Sequence, residues 1–271
     1  MAKASSTSNQ QALSYDAGKV QAQGVFTSEI HIEARVSLQD VWNNQYHGSK
    51  KMGKRPGMYL KYLPCRFHEV SGDVLTGGLY LFKTKEEAED YQNWTSNEFE
   101  VGEPKTTFWK QPLFKSVSHW TWNVVGAHNF VPVEEHDLGR FQRWTYDNEE
   151  GYKSKDAESL LRQLYPVLKD AAENRGAASF WLLHHPQDKM IAVQLSFANT
   201  DGNDPDSIGE ALASVAEQSS LSDVFPDKLN ARILLDRTSP YLALWFPLSE
   251  SDDGIDMACP NFPDLPASHE K

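Results

Sequence analysis

Cysteine is nearly absent from this sequence: only Cys65 and Cys259 carry a thiol among 271 residues. They lie too far apart for a zinc or redox motif, which needs close spacing, and the default is a reduced, cytoplasmic protein. Basic residues are scarce too, with 26 Lys and Arg against 38 Asp and Glu and a net charge of −12. No basic stripe is present, which argues against a nucleic-acid surface. No apolar run approaches the roughly 20 residues that span a bilayer, and the N-terminus, MAKASSTSNQQALSYDAGK, lacks the apolar centre of a secretory signal. No membrane partner is expected. The chain has no P-loop, no GxGxxG after a strand, no HExxH, and no Ser or Cys nucleophile in a recognisable setting. What it has in quantity is aromatic side chains, eight of them Trp. These suffice for cores and for a ring-lined pocket.

The stretch that organises the rest is Val25–Arg35, VFTSEIHIEAR. Its two alternate rows are Phe26, Ser28, Ile30, Ile32, Ala34 and Thr27, Glu29, His31, Glu33, Arg35, the period of a β-strand with one apolar and one ionisable face. On a sheet with one wet side, the ionisable row is simply the solvated face. In a sheet covered on both sides, that row lines a cavity or is paired.

Taken in order, Val36–His47 reads as a helix, with Ser37 as N-cap, and Gly48–Gly57 as a solvated basic loop. Gly57–Val70 is a strand in which Pro64 signals an edge or a bulge. Ser71-Gly72-Asp73 is a turn, Thr76–Lys83 a strand, Lys85–Phe99 a helix and Lys115–Val125 a strand. This is the β-α-β-β-α-β order of a ferredoxin-like unit. The second half repeats the pattern. A strand at Leu138–Tyr146 is followed by a helix at Ala157–Asn174, which Pro166 bends or breaks and Gly176 caps. Strands at Ala178–His184 and Met190–Phe197 follow, then a helix at Asp206–Val215 and closing strand residues in Asn230–Pro247. The expected division is a flexible arm at 1–23, one unit at 24–127, a second at 128–248 and an acidic tail at 249–271.

Thr76–Trp94, TGGLYLFKTKEEAEDYQNW, joins a glycine pair and an aromatic strand to a charged helix start with Ala-Glu-x-Tyr. With TFWKQPLFKSVS at Thr107–Ser118, it resembles the dimeric α+β barrel superfamily, in particular its YdhR-like and antibiotic-biosynthesis-monooxygenase-like members. The likeness covers roughly Gly24–Val125, and the second half only by topology. It implies an α+β fold of two ferredoxin-like units packed sheet to sheet as one intramolecular barrel, with helices outside. The first strand would then lie mid-sheet with neither face broadly wet. An ionisable row there must be paired or open to a polar cavity, because an unpaired buried charge costs several kcal/mol.

Within that frame His31 is the candidate general acid/base, with Glu29 or Glu33 orienting it. An internal salt-bridge ladder is the alternative. His119 falls on an adjacent strand beside Trp120 and Trp122; His119 and Tyr80 are candidates to polarise a substrate oxygen, with Tyr59 near the same pocket. Register decides which residues share a face. Arg140 or Arg143 could clamp a carboxylate, although pairing with Glu29 or Glu33 is the simpler account. His184 and His185 read as exposed turn residues. No metal and no cofactor are expected. The reading is an enzyme acting by proton transfer on a small hydrophobic, aromatic or polyketide-like substrate, in a cyclisation, elimination or decarboxylation. A cofactor-free monooxygenase of an activated phenol and a non-catalytic or haem-binding barrel are the alternatives. A homodimer of such barrels is left open.

Overall fold

Segments that alternate in polarity, or run apolar, form the strands, and segments with a 3.6-residue apolar repeat form the helices. The computed structural model describes residues 16–37, 40, 51–52, 55–68, 70–102, 104–132, 138–146, 154–198, 205–221, 223, 229–246 and 255–256. In chain order the strands are β1 (Gly18–Lys19), β2 (Gly24–Ile32), β3 (Met58–Phe67), β4 (Val74–Phe82), β5 (Glu100–Val101), β6 (Thr106–Thr107), β7 (Phe114–Asn129), β8 (Leu138–Thr145), β9 (Ser179–His185), β10 (Met190–Phe197), β11 (Arg232–Phe246) and β12 (Ile255–Asp256). Three helices are described: α1 (Lys85–Asn97), α2 (Ser154–Asn174) and α3 (Pro205–Gln218). None of them is long and apolar enough to cross a membrane. The helix expected over Val36–His47 and the basic loop after it fall largely outside the described residues.

The sheet closes on itself in the order β7-β2-β4-β3-β11-β8-β10-β9, with β9 pairing back to β7. Each half contributes its strands in the order fourth, first, third, second, so the two halves are the same ferredoxin-like unit. They join twice by the same rule, the second strand of one against the fourth of the other: β3 with β11, and β9 with β7. Every pairing is antiparallel. The first strand of each unit is central, as the resemblance implies.

Two layers of core result. Inside the barrel, Val25, Tyr62, Leu79, Trp122, Phe141 and Trp181 belong to one cluster. Outside, Phe26, Tyr80, Phe82 and Tyr91 pack between α1 and the first half, and Leu161, Leu168, Phe180 and Ile191 lie in the corresponding layer of the second. Each such side chain contributes about 1.5–3 kcal/mol by leaving water. The glycine pair of TGG has a steric cause. A Cβ at Gly77 would collide with the Ser28 carbonyl and one at Gly78 with the Tyr80 ring, and Gly78 N–H donates to Ser28 Oγ at 2.9 Å.

Local signals hold with adjustments. Thr84 and Glu87 form a capping box at the start of α1. Gly176 takes φ +77° after α2, and its N–H donates to Glu173 O at 2.9 Å. α2 runs through Pro166 without a break. Pro64 lies beside an irregularity in the β3–β11 register, so the bulge is the correct alternative; closure leaves no edge there. β2 stops at Ile32, short of Arg35, because the chain turns and Val36 N–H bonds Glu33 O at 3.1 Å. Of the arm expected at 1–23, Gly18–Lys19 is not free but pairs with β7.

Candidate functional site

Register settles which face each residue takes. Thr27 pairs with Trp120 and Val25 with Trp122, so Val25, Thr27, Glu29, His31, Trp120 and Trp122 look into the barrel. Ser28 pairs with His119 and Phe26 with both Thr121 and Tyr80, and these look toward α1. The expected site is thereby divided: His31 and Glu29 stand on one side of the sheet, and His119 and Tyr80 on the other.

On the inner side, Glu29 accepts a hydrogen bond from Arg143 Nη1 at 2.8 Å across the barrel. The two are the sixth residues of β2 and β8, the first strands of their units. The Arg143 guanidinium also lies over the Trp120 ring, 4.3 Å from its centroid. This is the simpler of the two roles expected for Arg143. Trp122 is fully buried, and its indole N–H donates to Thr27 Oγ1 at 2.8 Å. Tyr59 falls at the bulge between Met58 and Leu60 and is partly buried against the inner cluster; burial, then the charge of Glu87, raises its pKa.

At the end of β2 the inner row meets a second group of charges. His31 Nε2 lies 2.8 Å from Asp73 Oδ2, and Lys115 Nζ donates to both Asp73 oxygens at 2.8 and 2.7 Å. Ser71 Oγ and the Ala34 N–H complete the shell at 2.7 and 2.8 Å. Asp73 is 4% exposed at its side chain, whereas His31 keeps 30%. Lys115 first and Ser71 second, against the opposing effect of burial, hold the Asp73 carboxyl well below the usual range. A carboxylate in this position takes the Nε2 proton of a neutral imidazole and leaves Nδ1 as the basic nitrogen. Nδ1 has no hydrogen-bond partner among the described residues. The His68 ring stacks beside it at 6.2 Å.

On the helix side, His119 Nδ1 is 3.0 Å from Gln92 Nε2, and Gln92 Oε1 accepts from Thr121. His119 packs on Trp109 and Phe26 at 5.2 and 5.9 Å, and burial lowers its pKa. Tyr80 is enclosed by Phe26 and Tyr91, and burial pushes its hydroxyl up to about 12. Lys61, 1% exposed, places its ammonium 5.3 Å from the Tyr80 ring centroid. These groups form a second, closely packed constellation that shares no face with His31.

Three sequence expectations are corrected. Glu33 lies past the strand end, paired with Arg35 at 2.6 Å in a largely exposed bridge, so it neither lines the interior nor orients His31. The carboxylate that holds His31 is Asp73, and Glu29 is taken by Arg143. His184 is fully buried and bonded to the Tyr146 hydroxyl at 2.8 Å, not exposed in a turn, because β9 extends through His185. Asp73 had a legible signal, since a turn aspartate opening a strand next to β2 comes level with its end. Arg237 had none: its inward direction depends on the bulge in β11 between Ile233 and Leu235.

No family model matches the chain, and no curated protein does. Among solved structures, an anthrone oxidase-like protein is 8% identical with a TM-score of 0.45, the match covering 87% of this chain and 97% of that one. A haem-binding protein from Thermus thermophilus is 11% identical with a TM-score of 0.44, over 84% and 94%. A monooxygenase-like protein from Listeria innocua is 10% identical with a TM-score of 0.35, over 82% and 95%. At these scores the likenesses carry no argument about activity. The strand order and the closed eight-stranded sheet are those of the ferredoxin-like α+β barrel proteins that the sequence resembles.

Proposed function

We propose that this protein is an enzyme in which a small hydrophobic, aromatic molecule enters the end of the barrel and His31 moves its proton. The observation that carries the reading is the His31–Asp73 contact. An imidazole fixed through one nitrogen by a buried carboxylate, with its other nitrogen unpartnered among the described residues and its ring partly open, has the geometry of a general base. Lys115 keeps Asp73 ionised, so the carboxylate holds the ring through Nε2 and leaves Nδ1 to receive the proton. Cyclisation and elimination use such a proton abstraction, and decarboxylation of a phenolic acid uses it at the phenol, the substrate's own ring taking up the electron pair left by departing CO2. His119 and Tyr80 then belong to the packing of α1 and do not touch substrate.

The test is turnover of a panel of phenolic and polyketide-like substrates with and without dioxygen. His31→Gln is expected to lower the rate about 10²–10⁴-fold, with wild-type turnover unchanged under nitrogen. A strict need for dioxygen moves the reading to a cofactor-free monooxygenase. Full activity in His31→Gln overturns the assignment of His31. One observation favours a second reading, a non-catalytic ligand-binding barrel. Glu29, His31 and Glu33 all have charged partners, as a structural ladder would. Such a protein binds members of the panel and turns over none.

A further inference from the structure

Among the described residues, several hydrogen-bond donors of the barrel interior have no partner. Arg237, on the inner face of β11 opposite Phe141, is only 8% exposed. It makes no ion pair or hydrogen bond among the described residues; its guanidinium lies 5.9 Å from the Phe141 ring centroid. Arg143 stands on the neighbouring strand one pair away, opposite Leu235. Such diagonal neighbours are about 7–8 Å apart at Cα, within reach of long side chains. Arg143 spends one nitrogen on Glu29, and its Nε is buried with no acceptor. Ser239 Oγ, two residues beyond Arg237 on the same face, is buried and has no partner among the described residues, and the same holds for the inward Trp181 indole N–H. Gln194 Oε1 is an acceptor in the same interior without a partner among the described residues.

Charge points the same way as the hydrogen bonds. Glu29 is the carboxylate that faces Arg237, and Arg66 and Arg143 are the cations that oppose it. Burial pushes the Arg237 guanidinium down to about 10, an effect Glu29 only partly offsets. A guanidinium still carries its charge near pH 7 under these conditions, and Glu29, already bonded to Arg143, is the one carboxylate these two buried cations share among the described residues; buried positive charge in excess of its counter-charge is unfavourable by several kcal/mol. A ligand anion placed between Arg237 and Arg143 removes that cost. The guanidinium planes are bordered by the Trp120 and Phe141 rings, which suits a flat apolar body attached to the anion. Bare phosphate would meet those rings with nothing to cover them.

We propose that Arg143, Arg237 and Ser239 form a binding site for the carboxylate of a small aromatic acid, with Trp120 and Phe141 against its ring. The site rests on the barrel being a ligand chamber, and it does not depend on His31 moving a proton. Glu29 is the built-in competitor: it holds Arg143 when the chamber lacks ligand and gives up part of that contact when a carboxylate arrives.

Calorimetric titration of the full chain with 1-naphthoate, with the neutral isostere 1-naphthylmethanol and with inorganic phosphate tests this directly. Naphthoate is expected to bind at least tenfold more tightly than either of the others. Arg237→Met should weaken naphthoate at least tenfold. Glu29→Gln, which removes the competing carboxylate, should tighten it several-fold, a gain that loss of a purely structural pair would not produce. If Arg237→Met fails to fold, as circular dichroism would show, the Glu29→Gln comparison still decides. Absence of naphthoate binding, equal binding of naphthylmethanol, or weaker binding in Glu29→Gln overturns the proposal. Naphthoate binding with an inactive panel would leave the site standing and overturn only the enzymatic reading.

Discussion

The helix-facing layers of the two halves occupy the same place in the topology and are built from opposite materials. The third residue of β2 is Phe26, ringed by Tyr80, Tyr91, Trp109 and His119. The third residue of β8 is Arg140, fully engaged with Asp236 through two hydrogen bonds of 2.8 and 2.6 Å. Arg140 also donates to the Val215 and Ala216 carbonyls at the end of α3, where a cation is favourable. Gln142 extends the network to Ser220 and Asp236. In this layer the second half spends Arg140, Gln142 and Asp236 on holding a helix, whereas the first packs rings around Lys61 and the His119–Gln92 pair. The two halves share one strand order, and they differ in what they place between sheet and helix.

Breaking the second-half network should have the largest effect. Arg140→Met leaves Asp236 with Gln142 and takes the donor from two helix carbonyls, and a loss of about 2 kcal/mol is expected in urea unfolding, the range for hydrogen bonds to a charged group when one partner stays partly exposed. Next comes Asp73→Asn, which sharpens the contrast at the barrel end. Because the folded pKa of Asp73 lies below its unfolded value near 3.9, its contribution is complete above that pH and disappears as pH falls through the folded pKa. The variant should therefore melt below wild type at pH 7, and the two curves should converge in strong acid.

A smaller effect compares the two helix layers directly. Burial lowers the pKa of both His119 and His184. The stability of their neutral forms is present above the unfolded value near 6.5 and is lost as pH drops toward the folded one. His119→Phe and His184→Phe should each flatten the decline in melting temperature between pH 7 and 5. Equal slopes in wild type and both variants would contradict this. The smallest effect belongs to Glu33→Gln, where removal of an exposed bridge should change stability by less than about 0.5 kcal/mol.

Much of this was readable from the residues. Alternation in Val25–Ile32 and the β-α-β-β-α-β order gave the unit, and the resemblance carried by Thr76–Trp94 gave the barrel. Facing was less accessible, because one residue of register separates His119 from Trp120 and sends them to opposite layers. Strand ends were harder still: Glu33 continues the alternation of Val25–Arg35 perfectly, yet it falls outside because the backbone turns after Ile32. Asp73 was half legible as a turn aspartate opening a strand, but its meeting with His31 depends on the alignment of β4 with β2, and Arg237 depends on a bulge. Long-range pairing of that kind leaves no mark in a local pattern.

The claim that the chamber lies inside the barrel, at the His31 end, can be tested by a single titration. In histidine-labelled protein, added 1-naphthoate should shift the imidazole resonances of His31 and leave those of His119 in place. Movement of His119 with a silent His31 would put the ligand between α1 and the sheet and contradict the account.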